Sequence, residues 1–210
     1  MLFFILCYLD EDQHGLLHHK PAICPASFTL FKRNCLMSPH TLSANERLHS
    51  LIGAYPGIDH VLQSISDLER GGRLSEISSP YLAEISGWSY SKVREVLVIL
   101  ESFGVLNIEH GKCIRVTQSL DALEANEDDV FRIVKSHIDA DEKTKVFISH
   151  VESEYAVGDK IDGERPLEEL TPIGREKIRE VFLRLECAGF VLREGQKKRI
   201  KLCTLQPLLE

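Results

Sequence analysis

The chain has 210 residues, 43% of them hydrophobic and 27% charged, a composition typical of a soluble globular protein. Its net charge of −7 excludes a uniformly basic coat for nucleic acid but permits local basic patches. The length is sufficient for two small domains, each with a modest core of its own.

The cysteines and the N-terminus indicate where the protein resides. None of the six cysteines forms a CxxC pair, which favours free thiols in a reducing compartment. The apolar segment Met1–Leu9 is too short to span a bilayer, and it lacks the basic residues that begin a signal peptide. We therefore expect a cytoplasmic protein that does not associate with membranes.

Residues 1–36 show no sustained periodicity, and we predict a poorly ordered N-terminal extension that is dispensable for folding. The segment contains side chains of metal-ligating type, but their spacing matches no metal motif, so no metal site is predicted: these are His14, His18, His19, Cys24 and Cys35.

Helix signals begin directly after this extension. The capping box Ser43–Glu46 predicts a helix that ends near Ala54. Apolar residues at helical spacing predict a second helix over Ile58–Leu68, and Leu74–Ile77 is predicted to form a short strand.

The next signals predict a helix-turn-helix. Ser79 is expected to cap a helix that ends at Ser86, with Pro80 at its first position. Gly87 provides the turn, and Ser89 caps a long helix over Tyr90–Phe103. A glycine at 104 ends this helix, and the apolar run that follows predicts the first strand of a hairpin.

The segment Lys92–Leu106 recurs 85 positions later, without a gap, as Lys177–Val191. Beyond the hairpin turn, one inserted residue is predicted to align Ile114 with Ile200 and Val116 with Leu202. This similarity extends over about seventy residues, and we interpret it as two copies of one domain. The predicted organisation is a first domain at 43–118, an acidic linker at 119–127 and a second domain at 128–203.

The second copy repeats the predicted helices of the first. Helices are predicted over Val130–Ile138 and Lys145–Ala156, followed by a polar loop over Val157–Arg165. A short helix over Pro166–Leu170 and a long one over Arg175–Ala188 complete the copy, and no element is predicted after residue 203.

The order of these elements resembles the winged helix-turn-helix superfamily. The pattern Leu82-Ala83-x3-Gly87-x-Ser89-x3-Val93-x3-Leu97-x2-Leu100-x3-Gly104 looks like the core pattern of that superfamily. The second copy departs from it, with Pro172 at the turn glycine and Gly174 at the capping serine. The resemblance implies an α+β fold, mostly helical, with two tandem winged-helix domains.

The same resemblance implies double-stranded DNA as the partner and transcriptional regulation as the function. In DNA-binding members the third helix enters the major groove and the wing contacts the backbone or minor groove. Residues 172–203 carry a net charge of +5, which suits phosphate contact. The predicted DNA-binding residues are Tyr90, Ser91, Lys92, Arg94, Lys112, Arg175, Lys177, Arg179, Arg193, Lys197, Lys198, Arg199 and Lys201.

The outward faces of the two recognition helices favour an alternative. In the second copy that face carries Glu176, Glu180, Leu183 and Cys187, which is unusual against phosphates, and Val98 and Ile99 are expected to be exposed in the first. Tandem winged helices resemble accessory subunits of bacterial condensin, which bind protein, as well as plasmid replication initiators, which bind DNA. Two alternatives to a regulator therefore stay open. One is a protein-interaction scaffold in a chromosome-segregation or transcription complex, with Val98, Ile99 and Leu183 as partner or dimer contacts, and the other is a replication initiator.

No catalytic motif is present: the sequence has no G-x-S-x-G, no P-loop, no G-x-G-x-x-G and no H-E-x-x-H. We therefore predict no enzymatic activity, no catalytic residues and no cofactor.

Overall fold

The computed structural model describes residues 42–55, 57–73, 77–108, 114–118, 123–194 and 198–210. Within these ranges the protein is α+β and mostly helical, with eight α-helices and two small sheets. A search of the same ranges for a helix of sufficient length and apolarity to span a membrane finds none. The predicted extension over 1–36, residues 74–76 of the predicted strand, and Lys112 and Lys197 lie outside the described residues.

The first half of the chain contains four helices and a hairpin: α1 (Ala44–Ala54), α2 (Ile58–Arg70), α3 (Ser79–Ser86), α4 (Tyr90–Ser102), β1 (Leu106–Ile108) and β2 (Ile114–Val116). The second half repeats this order with one strand added: α5 (Glu127–Asp139), α6 (Glu142–Glu154), β3 (Lys160–Ile161), α7 (Glu164–Leu170), α8 (Arg175–Cys187), β4 (Val191–Glu194) and β5 (Lys198–Lys201). A 3-10 turn at Gln206–Leu208 ends the chain.

Side-chain caps fix where the helices of the first half begin. The hydroxyl of Ser43 accepts a hydrogen bond from the Glu46 N–H at 3.3 Å, and the Glu46 carboxylate accepts from the Ser43 N–H at 2.7 Å. This confirms the predicted capping box, and Ser89 likewise caps α4 as predicted. The cap of α3 is one residue earlier than predicted, because Ser78 accepts from the Tyr81 N–H and Ser79 is already helical.

Glycine ends the long helix of each half, as predicted. Gly104 and Gly189 both have φ of 71°, the left-handed conformation that L-residues with a side chain rarely adopt. In each case the next residue donates back into the helix, Val105 to the Leu100 carbonyl and Phe190 to the Leu185 carbonyl, both at 2.8 Å. In each half this closure is typical of a Schellman motif, and it directs the chain from the helix into the hairpin that follows.

The register of the two hairpins corrects the predicted alignment. Leu106 faces Val116 across the first hairpin, and Val191 faces Lys201 across the second. Each strand of the first hairpin is therefore related to its counterpart in the second by the same 85-residue offset. The predicted inserted residue is wrong. Arg199 and Lys201 take the places of Ile114 and Val116, so basic residues in the second half occupy strand positions that are apolar in the first.

The second sheet has a third strand that the sequence did not predict. Strand β3 pairs antiparallel with β5, with Lys160 opposite Ile200, and gives the order β3-β5-β4. The loop predicted over 157–165 is therefore wrong, because it contains β3 and the first turn of α7. A strand of two residues has too little alternation to be recognised from sequence.

One apolar core extends through both halves. Phe147 and Phe182 meet edge to face in the second half at 5.5 Å between ring centroids, and Phe103 is buried in the first. Leu205 and Leu208, in the tail where no element was predicted, are also fully buried. The division of the chain into domains at 119–127 stays a prediction.

The turn between α1 and α2 provides a test of the packing in the first half. Gly57 has φ of 101°, and a Cβ added there would lie 2.3 Å from the Trp88 ring. We expect Gly57→Ala to lower the free energy of unfolding by roughly 2–5 kcal/mol, since backbone strain and overpacking add.

The matched control is Gly72→Ala. Gly72 also has a positive φ, of 68°, but an added Cβ would meet nothing within 4 Å. Its cost should be limited to about 1–2 kcal/mol of backbone strain. Urea denaturation of both variants measures the difference in the free energy of unfolding. Equal losses of stability in the two variants would contradict the close approach of Gly57 to the Trp88 ring.

Candidate functional site

The two predicted recognition helices, α4 and α8, pack against each other. Near their starts, the Arg94 guanidinium lies 3.7 Å from the Glu176 carboxylate. Near their ends, Arg184 Nη2 lies 2.7 Å from Glu101 Oε2. Because start meets start and end meets end, the helices lie side by side and run in the same direction.

This packing covers the faces that were predicted to point outward. Ile99, Leu183 and Cys187 are fully buried and Val98 is half-buried, so their predicted exposure is wrong. Val98 and Leu183 line one small gap of about 70 Å³ between the two helices. The prediction failed because it placed each copy in solvent alone, whereas each helix supplies the cover for the other.

A buried ion pair lies at the centre of the contact. The side chains of Glu101 and Arg184 are only 9% and 6% exposed. Arg184 also lies 3.4 Å from the Ser102 hydroxyl and 3.3 Å from Glu180, and His137 of α5 lies 3.3 Å from Glu101. The charges are thus held within a network that spans three helices.

The pKa of Glu101 reflects this network. Burial alone would raise the pKa, but the hydrogen bonds from His137 and Arg184 and the charge of Arg184 bring it below its ordinary value. A carboxylate with a lowered folded-state pKa stabilises the protein above its unfolded-state pKa. That stabilisation is lost as the pH falls through the folded-state pKa.

A second polar contact joins the halves at the other side of α8. The Arg47 guanidinium of α1 is buried and lies 2.8 Å from the Glu127 carboxylate at the start of α5. Arg47 Nε also donates to the Cys187 carbonyl at 2.9 Å, and the Ala44 N–H donates to Glu127 at 2.6 Å. The starts of α1 and α5 and the end of α8 are therefore fixed together.

The cations predicted to bind DNA from the two helices all have carboxylate partners within the chain. At distances of 2.6 to 3.7 Å, the pairs are Lys92 with Glu95, Arg94 with Glu176, Arg175 with Glu168, Lys177 with Glu180 and Arg179 with Glu164. Their positive charge is largely offset locally, which weakens the attraction of this surface for phosphates.

Three cations of the second hairpin are paired as well. Arg193 lies 3.3 Å from Glu186, Arg199 lies 3.2 Å from Glu164, and Lys201 lies 2.6 Å from Glu152. Lys201 also donates to the Tyr155 carbonyl at 2.7 Å.

Two of these residues are placed differently from the prediction. Arg199 and Lys201 are 6% and 2% exposed, whereas the predicted DNA contacts require exposed side chains. They are buried because they occupy the inward strand positions of Ile114 and Val116, so neither side chain can contact the DNA backbone in the manner of an exposed wing residue.

Three predicted contact residues are exposed and are not held in an ion pair among the described residues: Tyr90, Ser91 and Lys198. Tyr90 and Ser91 form the first turn of α4, next to Arg94, whose guanidinium lies 5.9 Å from the centre of the Tyr90 ring. Lys198 begins β5, opposite Glu194 of β4.

The sequence contained one signal for the helix contact that the prediction did not use. Under the 85-residue offset, Arg184 corresponds to Ile99, which is an apolar core residue in the first half. A charge at a core position requires a buried partner of opposite sign. Glu101 and Arg47 carried no comparable signal, because both have the spacing of ordinary helix-surface residues.

No family model, curated protein or solved structure matches this chain. Among the described residues, no group of three or more His, Cys, Asp or Glu side chains is placed to hold a metal ion.

The central ion pair yields a stability prediction. Glu101→Gln removes the shorter of the two carboxylate contacts of the buried Arg184 and leaves only the one with Glu180, so it should lower the free energy of unfolding by about 1.5–3 kcal/mol. Chemical denaturation at neutral pH measures the loss.

Asp67→Asn on α2 is the matched control, because its ion pair with Arg70 is exposed on both sides. This variant should change stability by less than about 0.5 kcal/mol. If Glu101→Gln is as mild as Asp67→Asn, then the buried pair does not hold α4 against α8.

Proposed function

We propose that the two halves are winged-helix domains derived from one internal duplication, and that together they form a protein-interaction scaffold. The shared order of elements supports the duplication. So does the 85-residue offset, which holds for the glycine closures and for the register of both hairpins.

The mutual packing of α4 and α8 is the observation that favours a scaffold over a DNA reader. The major groove is about 12 Å wide and accepts one helix. Two helices packed side by side measure roughly 20 Å across, from a helix diameter of about 10–12 Å and an interaxial distance of about 8–10 Å. The pair therefore cannot enter a groove in the manner of a single recognition helix.

Exposed apolar side chains near the starts of these helices support a protein partner. Ile85 lies in the last turn of α3 and Leu170 ends α7, and each of these helices precedes a member of the helix pair in the chain. They are 85 residues apart, at equivalent positions, and are 41% and 64% exposed. A contiguous exposed apolar patch is typical of a contact surface, and we propose that these residues belong to one such patch beside the starts of the paired helices. With Tyr90 they define the surface that we propose for the partner.

Leu170→Asp should remove partner binding without unfolding the protein, because the side chain is exposed. The measurement has two steps. Chemical cross-linking in cells identifies the protein bound by the unaltered chain, and calorimetry with that purified protein then measures affinity. A charge placed in the apolar contact should weaken binding by at least tenfold.

Val146→Asp is the control, since Val146 is 47% exposed but lies on α6, outside the proposed surface. It should bind the partner with unchanged affinity. Equal affinity for the Leu170→Asp variant would exclude this end of the molecule as the contact.

DNA binding remains a second candidate because the first turn of α4 is accessible. The ion pair between Arg94 and Glu176 is long, and their side chains are 45% and 87% exposed. Such a pair contributes little and can open to release the guanidinium for a phosphate or a guanine edge.

Fluorescence anisotropy with random duplex DNA at two salt concentrations distinguishes the candidates. The scaffold proposal expects weak DNA binding, with an affinity and a salt dependence that are unchanged in the Arg94→Ala variant. The DNA proposal expects this variant to reduce the slope of log affinity against log salt by about 0.9, which is one phosphate contact. The control is Arg132→Ala on α5, an exposed arginine paired with Asp129 that should leave the slope unchanged.

A further inference from the structure

A cleft between the two halves has the properties of a small-molecule site. It encloses about 630 Å³, within the range of roughly 300–1,000 Å³ usual for ligand pockets. One wall comes from α1 and the start of α4, with Tyr55 and Lys92. The other comes from α8 and the second hairpin, with Arg179, Arg193 and Arg199.

The hairpin places two arginines directly opposite each other in this cleft. Arg193 on β4 is the cross-strand partner of Arg199 on β5, and the same positions in the first hairpin hold Ile108 and Ile114. Like charges at directly opposed positions destabilise a sheet, whereas an apolar pair stabilises it. The second copy thus carries an unfavourable pair at a position where the first copy has a favourable one.

Nearby carboxylates offset this charge only in part. Glu186 faces Arg193, and Glu164 faces both Arg199 and Arg179. With Lys92 and Glu95, the cleft contains four cations and three carboxylates. Burial raises the pKa of Glu186 above its ordinary value, against the opposing effect of the Arg193 and Arg199 charges.

Hydrogen-bond donors in the cleft are without partners. Four buried side-chain nitrogen or oxygen atoms lack a hydrogen bond in the described part of the chain. Three of them belong to residues of this cleft: the Tyr55 hydroxyl, Arg193 Nε and Arg199 Nε. Arg193 Nε lies 3.3 Å from Glu186 but does not meet hydrogen-bond geometry.

These donors are held in place by their surroundings. Tyr55 and Arg199 are 7% and 6% exposed. The Arg193 guanidinium lies 5.2 Å from the centre of the Tyr55 ring, and Arg199 lies 4.4 Å from that of Phe182. A buried donor without a partner costs about 1–3 kcal/mol, which an acceptor of matching geometry would recover.

We propose that this cleft binds a small molecule through an oxyanion group, phosphate or carboxylate, held by Arg193, Arg199 and Tyr55. Guanidinium groups match the paired oxygens of both anions, and the tyrosine hydroxyl provides a third donor. The ligand contacts α1 on one side and the second hairpin on the other, so it binds both halves at once. The site is independent of the partner surface at Ile85 and Leu170.

Isothermal titration calorimetry on the full chain tests this inference, with inorganic phosphate, pyrophosphate and citrate as probes at constant ionic strength. We expect saturable binding of at least one probe. A preference for pyrophosphate over citrate would identify a phosphorylated ligand, and the reverse preference a carboxylated one.

Two variants assign the binding to this cleft. Tyr55→Phe removes only the hydroxyl and should weaken binding roughly 3- to 10-fold, while Arg193→Gln should weaken it roughly 10- to 100-fold. Arg132→Gln, an exposed arginine on α5, is the control and should bind like the unaltered chain. Circular dichroism verifies that each variant is folded.

Two outcomes would overturn the inference. One is the absence of saturable binding for all three probes. The other is equal affinity in the Tyr55→Phe, Arg193→Gln and Arg132→Gln variants, which would indicate general attraction of anions.

Discussion

The ion pair between Glu101 and Arg184 is the contact on which the arrangement of the two halves depends. It lies between the two long helices and is buried. Replacing one partner of a buried ion pair costs far more folding free energy than replacing one partner of an exposed pair. Because its geometry is satisfied only when α4 and α8 lie side by side, it selects one relative position of the halves. Apolar packing between the two helices alone would permit neighbouring positions, since apolar attraction is not directional.

This arrangement decides which surfaces are available for function. The faces that the winged-helix resemblance assigned to base reading are turned towards each other, and the cations beside them are matched with carboxylates. The chain therefore presents the ends of α3 and α7, and a cleft between the halves, as its accessible chemical features. The two halves thus bury against each other the faces that the resemblance assigned to base reading, which supports our preference for a scaffold.

Local structure was predictable because its causes are local. The cap at Ser43, the glycine closures at 104 and 189, and the helical spacing of the apolar residues each depend on a few neighbouring residues. Contacts between the halves were not predictable in this way. Glu101 and Leu183 have the spacing of ordinary surface positions, and their burial results from a partner helix more than eighty residues away.

The second hairpin shows a different limit of prediction from sequence. The cluster from Arg193 to Lys201 has the charge of an exposed wing, and the predicted insertion matches the apolar Ile200 and Leu202 with Ile114 and Val116. The strand register removes the inserted residue and places Arg199 and Lys201 inside. Position in a strand outweighed residue type here, since Glu164 and Glu152 provide the buried partners that each charge requires.

The packing of α4 against α8 is tested most directly by methyl nuclear Overhauser spectroscopy on the full chain with labelled valine and leucine. We predict cross-peaks between the methyl groups of Val98 and Leu183 in the free protein, assigned by their loss in Leu183→Ala. The same cross-peaks should persist when duplex DNA is added. Their absence from the free protein, while the rest of the methyl spectrum shows a folded chain, would contradict the paired helices and with them the preference for a scaffold.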